Sequence, residues 1–330
     1  MKKRRLGRTD VEVTPIGLGC MQFAGAGFYS LGFTPTTQDT VDSVVGAALD
    51  GGINWFDTAE AYGRGTSERS LTTALQRRDV EPGEVAIATK WMPFPRRAPN
   101  IGRTIDTRLS RLQGYPVDLY QIHLPVALSP ISVQMREMAR VLRAGKIRSI
   151  GVSNFSAHQM ETASRALERE GIVLASNQVR INLLDRRIEN NGLLEIARRL
   201  GVTLIAYSPL AQGLLTGRFH ENPELLRALR PLRRMAGGYG RRRMARTAPL
   251  IDGLRAIGSA HGATPSQVAL NWLVSYYGDT VVAIPGASKP RQAEESAGAM
   301  GFRLTEDELA RLDQLSRTAS AQHPAPAPDR

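Results

Sequence analysis

The sequence is short of cysteine and of long apolar runs. Cys20 is the only cysteine among the 330 residues, which excludes a disulfide framework and a zinc or iron–sulfur site built from several cysteines. The apolar runs are far shorter than the roughly 20 residues that cross a bilayer as a helix, so no transmembrane helix is expected. The start of the chain, Met1 to Arg5, is basic but no apolar segment follows it, so a signal peptide is not expected either. The expected setting is therefore the reducing cytoplasm.

Acidic residues are fewer than basic ones, and most of the difference is local. The chain has 43 Lys and Arg against 31 Asp and Glu, a net charge of +12. No acidic residue lies between Leu225 and Ile251, and without the arginines of that segment the net charge would fall to +4. These arginines are Arg227, Arg230, Arg233, Arg234, Arg241, Arg242, Arg243 and Arg246. Charge concentrated in this way does not support nucleic-acid binding by the whole protein and predicts a basic surface loop.

Short apolar segments alternate with amphipathic segments along most of the chain. The pattern predicts strands at 16–18, 53–57, 85–89, 117–122, 149–152, 175–179, 203–207 and 280–284, each followed by at least one helix. Strands that alternate with helices pair in parallel through right-handed crossovers. Eight such units predict a (β/α)8 barrel of the α/β class.

Further elements flank the predicted barrel. A hairpin is expected at the N-terminus, around Arg5 and residues 11–13, and two extra helices near 249–260 and 265–276. Thr305 and Glu308 form the pattern of a capping box before a late helix. Without an evident linker, residues 1–318 are predicted to form a single domain. The Pro- and Ala-rich residues 319–330 are predicted to be a disordered tail.

Four side chains that could take part in a reaction lie where neighbouring barrel strands end. Asp57, Lys90 and His123 close the second, third and fourth predicted strands, and Tyr62 lies in the loop after the second. Active sites of such barrels lie at the C-terminal ends of the strands. Taken singly, Asp57 suits a helix cap, Lys90 a solvated charge, and His123 and Tyr62 packing. Their occurrence together at adjacent strand ends favours catalysis.

These four residue types suit the reduction of a carbonyl group. A tyrosine hydroxyl has an ordinary pKa of about 10 and is a poor acid at neutral pH, but a neighbouring ammonium stabilises the phenolate and lowers that pKa. A carboxylate can hold the lysine charged and oriented, and a histidine can orient the carbonyl or assist proton transfer. A hydride can then reach the carbonyl carbon while tyrosine protonates the oxygen.

Six segments carry motifs in a recognisable order: 52–63, 88–90, 118–123, 145–154, 206–210 and 284–287. Together they resemble the aldo-keto reductase family, in a bacterial branch related to potassium-channel β-subunits, from about residue 5 to about residue 315. The resemblance implies that Asp57, Tyr62, Lys90 and His123 are the family's catalytic tetrad. It also implies an NADPH-dependent reductase of aldehydes or ketones with Tyr62 as the general acid.

The resemblance further implies a nicotinamide cofactor bound across the barrel mouth, and the chain has no G-x-G-x-x-G motif. Residues implied around the nicotinamide and its ribose are Gly19, Met21, Asp57, Ser153, Asn154, Gln178 and Tyr207. Residues implied at the pyrophosphate are Ser208, Leu210, Gln212 and Gly213. Residues implied at the adenosine end are Gly286, Ser288, Lys289, Arg291, Gln292, Glu295 and Ser296. Ile181 and Ser296 depart from the family's usual Tyr and Asn, a change compatible with weaker binding.

Lys289 and Arg291 favour NADPH over NADH, because they can meet a 2′-phosphate. The alternative is that both are ordinary surface charges. The expected substrate is a small-molecule carbonyl compound of unknown identity, in a partly apolar pocket formed by Phe28, Tyr29, Trp91 and Met92. An oligomer is compatible with the sequence.

Residues 218–248 have three interpretations. They form a mobile loop that closes over the cofactor, or a site for a phosphate on a substrate or partner, or a nucleic-acid site, which no interleaved aromatic residues support. The run Gly-Gly-Tyr-Gly at 237–240 favours the mobile loop. An alternative function also stays open: a cofactor-binding partner subunit with little turnover, resembling the channel β-subunits.

Overall fold

Eight parallel strands follow one another around a barrel. The computed structural model describes residues 1–25, 36–229 and 239–320. After two hairpin strands, β1 (Arg4–Arg5) and β2 (Glu12–Val13), the barrel strands are β3 (Leu18–Gly19), β4 (Trp55–Asp57), β5 (Ala86–Trp91), β6 (Leu119–Ile122), β7 (Ile150–Ser153), β8 (Leu174–Arg180), β9 (Thr203–Tyr207) and β10 (Val281–Ile284). Parallel bridges from Ile16 to Ala283 and from Gly19 to Gly286 close the ring. The predicted (β/α)8 barrel is confirmed.

The hairpin closes the N-terminal end of the barrel. Leu6 and Val13 are buried in one apolar cluster with the inward-facing residues of the strands. The Trp55 indole N–H donates to the carbonyl oxygen of Thr14 at 2.9 Å. The indole ring fits there because residue 17 is glycine, and any side chain at that position would collide with the ring. Since apolar side chains fill this end, the polar groups of the barrel interior lie at the other end, where the strands finish.

Helices cover the outside of the barrel. They are α1 (Gln38–Asp50), α2 (Thr66–Gln76), α3 (Pro99–Arg111), α4 (Ile131–Arg143), α5 (Ala157–Glu168), α6 (Leu193–Leu200), α7 (Arg218–Glu221), α8 (Glu224–Arg227), α9 (Arg241–His261), α10 (Pro265–Tyr276), α11 (Pro290–Gly298) and α12 (Glu306–Ser320). The predicted capping box is present, because Thr305 and Glu308 bind each other's backbone N–H. Within the described ranges, no helix has the length and apolar character needed to cross a membrane.

The predicted basic loop over 218–248 is wrong for most of the residues that the structure describes. Two short helices, α7 and α8, occupy its first part. Helix α9 begins at Arg241 instead of near Pro249, which lies inside it. Burial of Thr247 and Leu250 on either side stabilises the helix although the proline donates no hydrogen bond. Residues 230–238, including two glycines of the Gly-Gly-Tyr-Gly run, lie outside the described residues.

Tyr239 is packed, in contrast to the mobile loop expected there. Its side chain is buried, and its hydroxyl donates to the carbonyl oxygen of Gln212 at 2.6 Å. This contact joins the start of α9 to the segment that follows β9. At the other end of the chain α12 reaches Ser320, so the first two residues of the predicted tail are helical and 321–330 lie outside the described residues.

Candidate active site

Asp57 and Lys90 form a buried ion pair at the C-terminal end of the barrel. The Lys90 Nζ donates to Asp57 Oδ1 and, at 2.9 Å, to the carbonyl oxygen of Thr58. The Lys90 side chain has no exposed surface, and that of Asp57 is only 2% exposed. Buried charges are tolerated when they are paired and hydrogen-bonded. The pair therefore holds an ammonium group in a fixed position beneath the barrel mouth.

Tyr62 lies against both Lys90 and His123. Lys90 Nζ is 5.1 Å from the centroid of the Tyr62 ring. The His123 ring centroid is 5.7 Å from that of Tyr62, with the two planes at 82°. The fold therefore brings the ammonium group of Lys90 and the ring of Tyr62 together, as the strand-end positions predicted.

His123 is a neutral imidazole. Burial, together with the positive charge of Lys90, lowers the pKa of His123 to about 3. Its backbone N–H donates to the carbonyl oxygen of Trp91 at 3.0 Å, which fixes the residue at the end of β6. A neutral imidazole has one N–H donor and one acceptor nitrogen. His123 can therefore hold a carbonyl oxygen by a hydrogen bond, but it carries no easily lost proton at neutral pH.

Two glutamine amides hold the second oxygen of Asp57. Gln121 Nε2 donates to Asp57 Oδ2 at 3.0 Å and Gln178 Nε2 donates to the same atom at 2.8 Å. The resemblance implied a cofactor contact for Gln178, and the structure adds this bond to the tetrad. Gln121 was missed, although it lies two residues before His123 on β6 and strand alternation turns it inward. Both amides keep the carboxylate oriented toward Lys90.

Glu60 ties the loop that carries Tyr62 to neighbouring elements. Its Oε1 accepts hydrogen bonds from the Met92 backbone N–H at 2.5 Å and from the Arg96 guanidinium at 2.7 Å. Its Oε2 pairs with the buried Arg108 of α3. The loop between Asp57 and Tyr62 is thus joined to the segment just after Lys90. No sequence pattern predicts this contact, because Glu60 and Arg108 are far apart along the chain.

Glu68 is a second buried carboxyl behind the tetrad. Its Oε1 accepts a hydrogen bond from Thr89, the residue before Lys90, at 2.7 Å. Arg108 Nε and Arg111 Nη1 lie 3.4 and 3.7 Å from its Oε2. Burial nevertheless raises the pKa of Glu68 from 4.5 to about 7, because the nearby arginines and Thr89 only partly offset the loss of solvent. Sequence reasoning missed this residue too, since a glutamate at the start of a helix is ordinarily exposed.

A cleft of about 880 Å³ opens over the tetrad. Asp57, Tyr62 and His123 line its floor. Its walls contain the residues implied for the cofactor: Gly19, Met21, Ser153, Asn154, Gln178, Tyr207, Ser208, Leu210, Gln212, Gly213, Gly286, Lys289, Arg291, Gln292, Glu295 and Ser296. Ser288 is not among the lining residues, and its backbone N–H donates to Gln292 Oε1 at 2.8 Å. The fold therefore gathers residues from seven strand ends around one space.

The backbone of the cleft wall adopts unusual conformations. Positive φ angles occur at Asn154 (60°), Ser208 (49°), Gln212 (60°) and Gly213 (92°). For residues other than glycine such angles cost about 1–3 kcal/mol each and persist at sites where the surroundings enforce them. Asn154 is further held by the Tyr207 hydroxyl, which donates to its Oδ1 at 2.9 Å.

Of the four predicted substrate residues, the two that the structure describes do not line the cleft. Trp91 does not line the cleft: it is fully buried, and its indole N–H donates to Asn100 Oδ1 at 2.9 Å. The physical reason is strand alternation, since Lys90 points into the barrel and the next residue must point outward. Met92 is not a lining residue either, and its backbone N–H is bound by Glu60. Phe28 and Tyr29 lie outside the described residues.

Several lining residues were not foreseen from the sequence. They are Cys20, Gln22, Leu124, Arg180, Pro209, Thr216, Arg218, Glu221, Thr264, Pro265, Ser266, Ile284 and Pro285. Alternation along β8 could have found Arg180, which follows the inward-facing Gln178 by two residues. Thr264 to Ser266 reach the cleft from the start of α10, which no strand-end rule indicates.

The chain is similar to known proteins along most of its length. The model of the Aldo/keto reductase family matches residues 15–317. An uncharacterised oxidoreductase of Mycobacterium bovis is 39% identical over 313 residues, which cover 93% of this chain and 90% of that protein. The structure of the glycerol dehydrogenase from Gluconobacter oxydans is similar with a TM-score of 0.82 at 28% identity, covering 99% of this chain and 98% of that one. An aldo-keto reductase from Klebsiella pneumoniae in complex with NADPH has a TM-score of 0.71 at 26% identity, covering 96% of each chain. The chain belongs to the aldo/keto reductase family of oxidoreductases.

Proposed function

We propose that the protein is an NADPH-dependent carbonyl reductase that converts an aldehyde or a ketone to an alcohol. One observation carries the proposal: Tyr62 lies at the floor of the cleft against a buried ammonium group and a neutral imidazole. This arrangement favours a tyrosine that gives up its proton, next to a group that can hold the carbonyl oxygen. The family membership supports the same reaction class.

The cleft fits an extended dinucleotide. Its lining runs from Met21 and Tyr62 at the tetrad to Glu295 and Ser296 on α11. The strained wall from Ser208 to Gly213 presents backbone groups to the middle of that space. The Klebsiella reductase that binds NADPH in a similar fold supports this assignment. When bound, the nicotinamide supplies a hydride to the carbonyl carbon.

The chain's own residues then handle the proton and the carbonyl oxygen. Tyr62 donates its hydroxyl proton to the oxygen as negative charge develops there. Lys90 stabilises the resulting phenolate by its nearby charge, and Asp57 keeps that charge in place. His123 donates a hydrogen bond that orients the carbonyl oxygen toward Tyr62. Because burial excludes water around the Asp57–Lys90 pair, its electrostatic effect is stronger than at a surface.

Lys289 and Arg291 support the choice of NADPH. Both side chains are exposed and line the far end of the cleft. Lys289 is also the N-cap residue of α11, which begins at Pro290. The positive end of the helix dipole and two cations together favour a phosphate group there. A 2′-phosphate is the group that distinguishes NADPH from NADH.

A screen of aldehydes and ketones tests the proposal. The decrease in NADPH absorbance is followed with the wild type and with Tyr62→Phe, and NADH is run in parallel. We expect turnover of at least one carbonyl compound, faster with NADPH than with NADH, and loss of most of it in the variant. Tight NADPH binding with slow release and no turnover would instead favour the channel β-subunit type of partner protein.

A further inference from the structure

Arg180 places a positive charge on the wall of the cleft near the tetrad. It ends β8, two residues after Gln178, so it lies on the same side of the strand about 6–7 Å farther toward the mouth. It pairs in register with Tyr207, and its guanidinium carbon is 5.8 Å from the centroid of the Tyr207 ring. Tyr207 in turn is bonded to Asn154, whose Nδ2 is 3.4 Å from the carbonyl oxygen of His123. A short chain of contacts thus joins Arg180 to the catalytic side of the cleft.

Arg243 of α9 lies close enough to Arg180 for their charges to interact, and we call Arg180, Arg243 and the neighbouring Arg246 the arginine rim. Burial lowers the pKa of Arg243, and the charges of Arg246 and Arg180 lower it further. Asp185, whose charge also acts on Arg243, accepts two hydrogen bonds from Arg187, at 2.8 and 2.9 Å. Within the described ranges Arg180 itself makes no ion pair. Because Arg180 is exposed and lines the cleft, its guanidinium group can meet an anion there.

Helix α9 begins with basic residues. Its first turn carries Arg241, Arg242 and Arg243 and no acidic residue. Cations at a helix N-terminus are unfavourable, because that end already carries partial positive charge. Departures from local rules of this kind occur where function requires them.

The phosphates of the proposed cofactor have other partners. The pyrophosphate is expected beside the segment from Ser208 to Gly213, and the 2′-phosphate beside Lys289 and Arg291. Arg180 lies instead next to Tyr207, the residue implied for the nicotinamide ring. A cation at that end of the cleft is placed to meet the substrate.

We propose that Arg180 binds an oxyanion on the substrate, so that the enzyme prefers carbonyl compounds that carry a carboxylate or a phosphate ester. A planar guanidinium can donate two parallel hydrogen bonds to either group. This inference rests on the proposed reductase function and names the class of its substrate.

The preference is measured with pairs of aldehydes that differ in charge. One pair is 4-carboxybenzaldehyde and 4-methylbenzaldehyde, which are similar in size; the other is pyridoxal 5′-phosphate and pyridoxal. Initial rates with NADPH give kcat/KM for each compound. In at least one pair, we expect kcat/KM for the charged aldehyde to exceed that for the neutral one by about tenfold or more. One charge-assisted contact can contribute a factor of this size. The pair that shows the preference identifies the oxyanion as carboxylate or phosphate.

Variants then assign the preference to Arg180. Arg180→Gln should lower the charged-to-neutral ratio of kcat/KM by about ten- to a hundredfold, and Arg180→Lys by less, because lysine keeps the charge without the planar donor pair. Arg198→Gln is the matched control, since Arg198 is exposed on α6 and does not line the cleft. That control should leave the ratio as it is in the wild type.

Three results would overturn the proposal. The first is equal kcat/KM within both pairs in the wild type. The second is a ratio in Arg180→Gln that matches the wild type. The third is a loss of NADPH affinity in Arg180→Gln with an unchanged ratio, which would assign Arg180 to the cofactor.

A protein that reduces none of the four aldehydes would contradict the proposed function instead. Arg180 is then tested by benzoate binding to the NADPH-loaded protein, followed by fluorescence. Binding to the wild type that is lost in Arg180→Gln supports the oxyanion site, and equal binding to both overturns it.

Discussion

The tetrad and the arginine rim are both charged, but they are built in opposite ways. In the tetrad, Lys90 is fully buried and meets one carboxylate and one carbonyl oxygen. In the rim, Arg180 is exposed and lies near the guanidinium group of Arg243. A buried, paired charge has a fixed position and is little affected by salt, whereas exposed cations attract anions and are screened. Substitutions in the tetrad should therefore lower mainly the reaction rate, by large factors. Substitutions of exposed cations should weaken mainly binding, by smaller factors.

The largest effect is expected from Tyr62→Phe. Removing one general acid typically lowers a rate by about 10²–10⁴-fold, and the ring itself stays to fill its place. Carbonyl reduction should therefore fall by that factor while NADPH affinity, measured by fluorescence quenching, changes little. Activity within a few-fold of the wild type would show that another group supplies the proton.

Lys90→Met should lower both activity and stability. The variant loses the charge that we propose stabilises the Tyr62 phenolate, so the rate should fall across neutral pH and its pH profile should shift. It also leaves Asp57 as an unpaired buried carboxylate, a change that typically costs about 3–5 kcal/mol. Denaturant unfolding and pH–rate profiles measure the two effects.

A double variant separates these two roles of Lys90. Asp57→Asn together with Lys90→Met removes both charges, so most of the lost stability should return while activity stays low. If activity returned together with stability, Lys90 would act by supporting the fold alone.

Glu68 should make the stability of the fold depend on pH. Its pKa is about 7 in the folded protein against an ordinary value of 4.5, so the folded state binds this proton more tightly than the unfolded chain. Its contribution to stability is complete below pH 4.5 and is lost as pH rises through about 7. Relative to Glu68→Gln, the wild type should lose up to about 3 kcal/mol of unfolding free energy between pH 4.5 and 8.

The matched control for that experiment is Glu195→Gln, a change at an exposed glutamate on α6. Its unfolding free energy should follow that of the wild type at every pH. A Glu68→Gln variant that also follows the wild type would mean that Glu68 stays ionised in the fold, held by Arg108 and Arg111.

The smallest effect is expected at the adenosine end of the cleft. Lys289→Ala with Arg291→Ala removes two exposed cations, and one charge-assisted contact to phosphate contributes roughly 1.5–3 kcal/mol. NADPH affinity should fall by about ten- to a hundredfold, and NADH affinity should hardly change. Salt should weaken NADPH binding to the wild type more than NADH binding.

Arg303→Ala, which removes an exposed cation away from the cleft, is the control for this pair. If the double variant weakened both cofactors equally, Lys289 and Arg291 would support the wall of the cleft without recognising the phosphate. A wild type that already prefers NADH would contradict the choice of cofactor.

The order of the elements and the positions of the tetrad could be predicted from the sequence. Periodicity depends on neighbours along the chain, so it predicts which residues form strands and which residues end them. Asp57, Lys90 and His123 meet because parallel strands of a barrel all end at one rim. The same local patterns placed the start of α9 wrongly, at Pro249, because they do not report contacts with other elements, such as the 3.0 Å hydrogen bond between His220 Nε2 of α7 and Thr247 Oγ1.

Only the tertiary structure decided which way side chains point and which charges meet. Trp91 and Lys90 both lie at the end of β5. Because side chains alternate along a strand, Trp91 points outward to the helices and Lys90 points into the site. The contacts of Glu60 with Arg108 and of Gln178 with Asp57 join residues 48 and 121 positions apart. Local sequence determines backbone conformation through short-range sterics and hydrogen bonding. Burial and charge pairing depend instead on which distant segments fold against each other. Burial in particular sets the pKa of Glu68 and of His123, so the tertiary structure was needed to find both shifts.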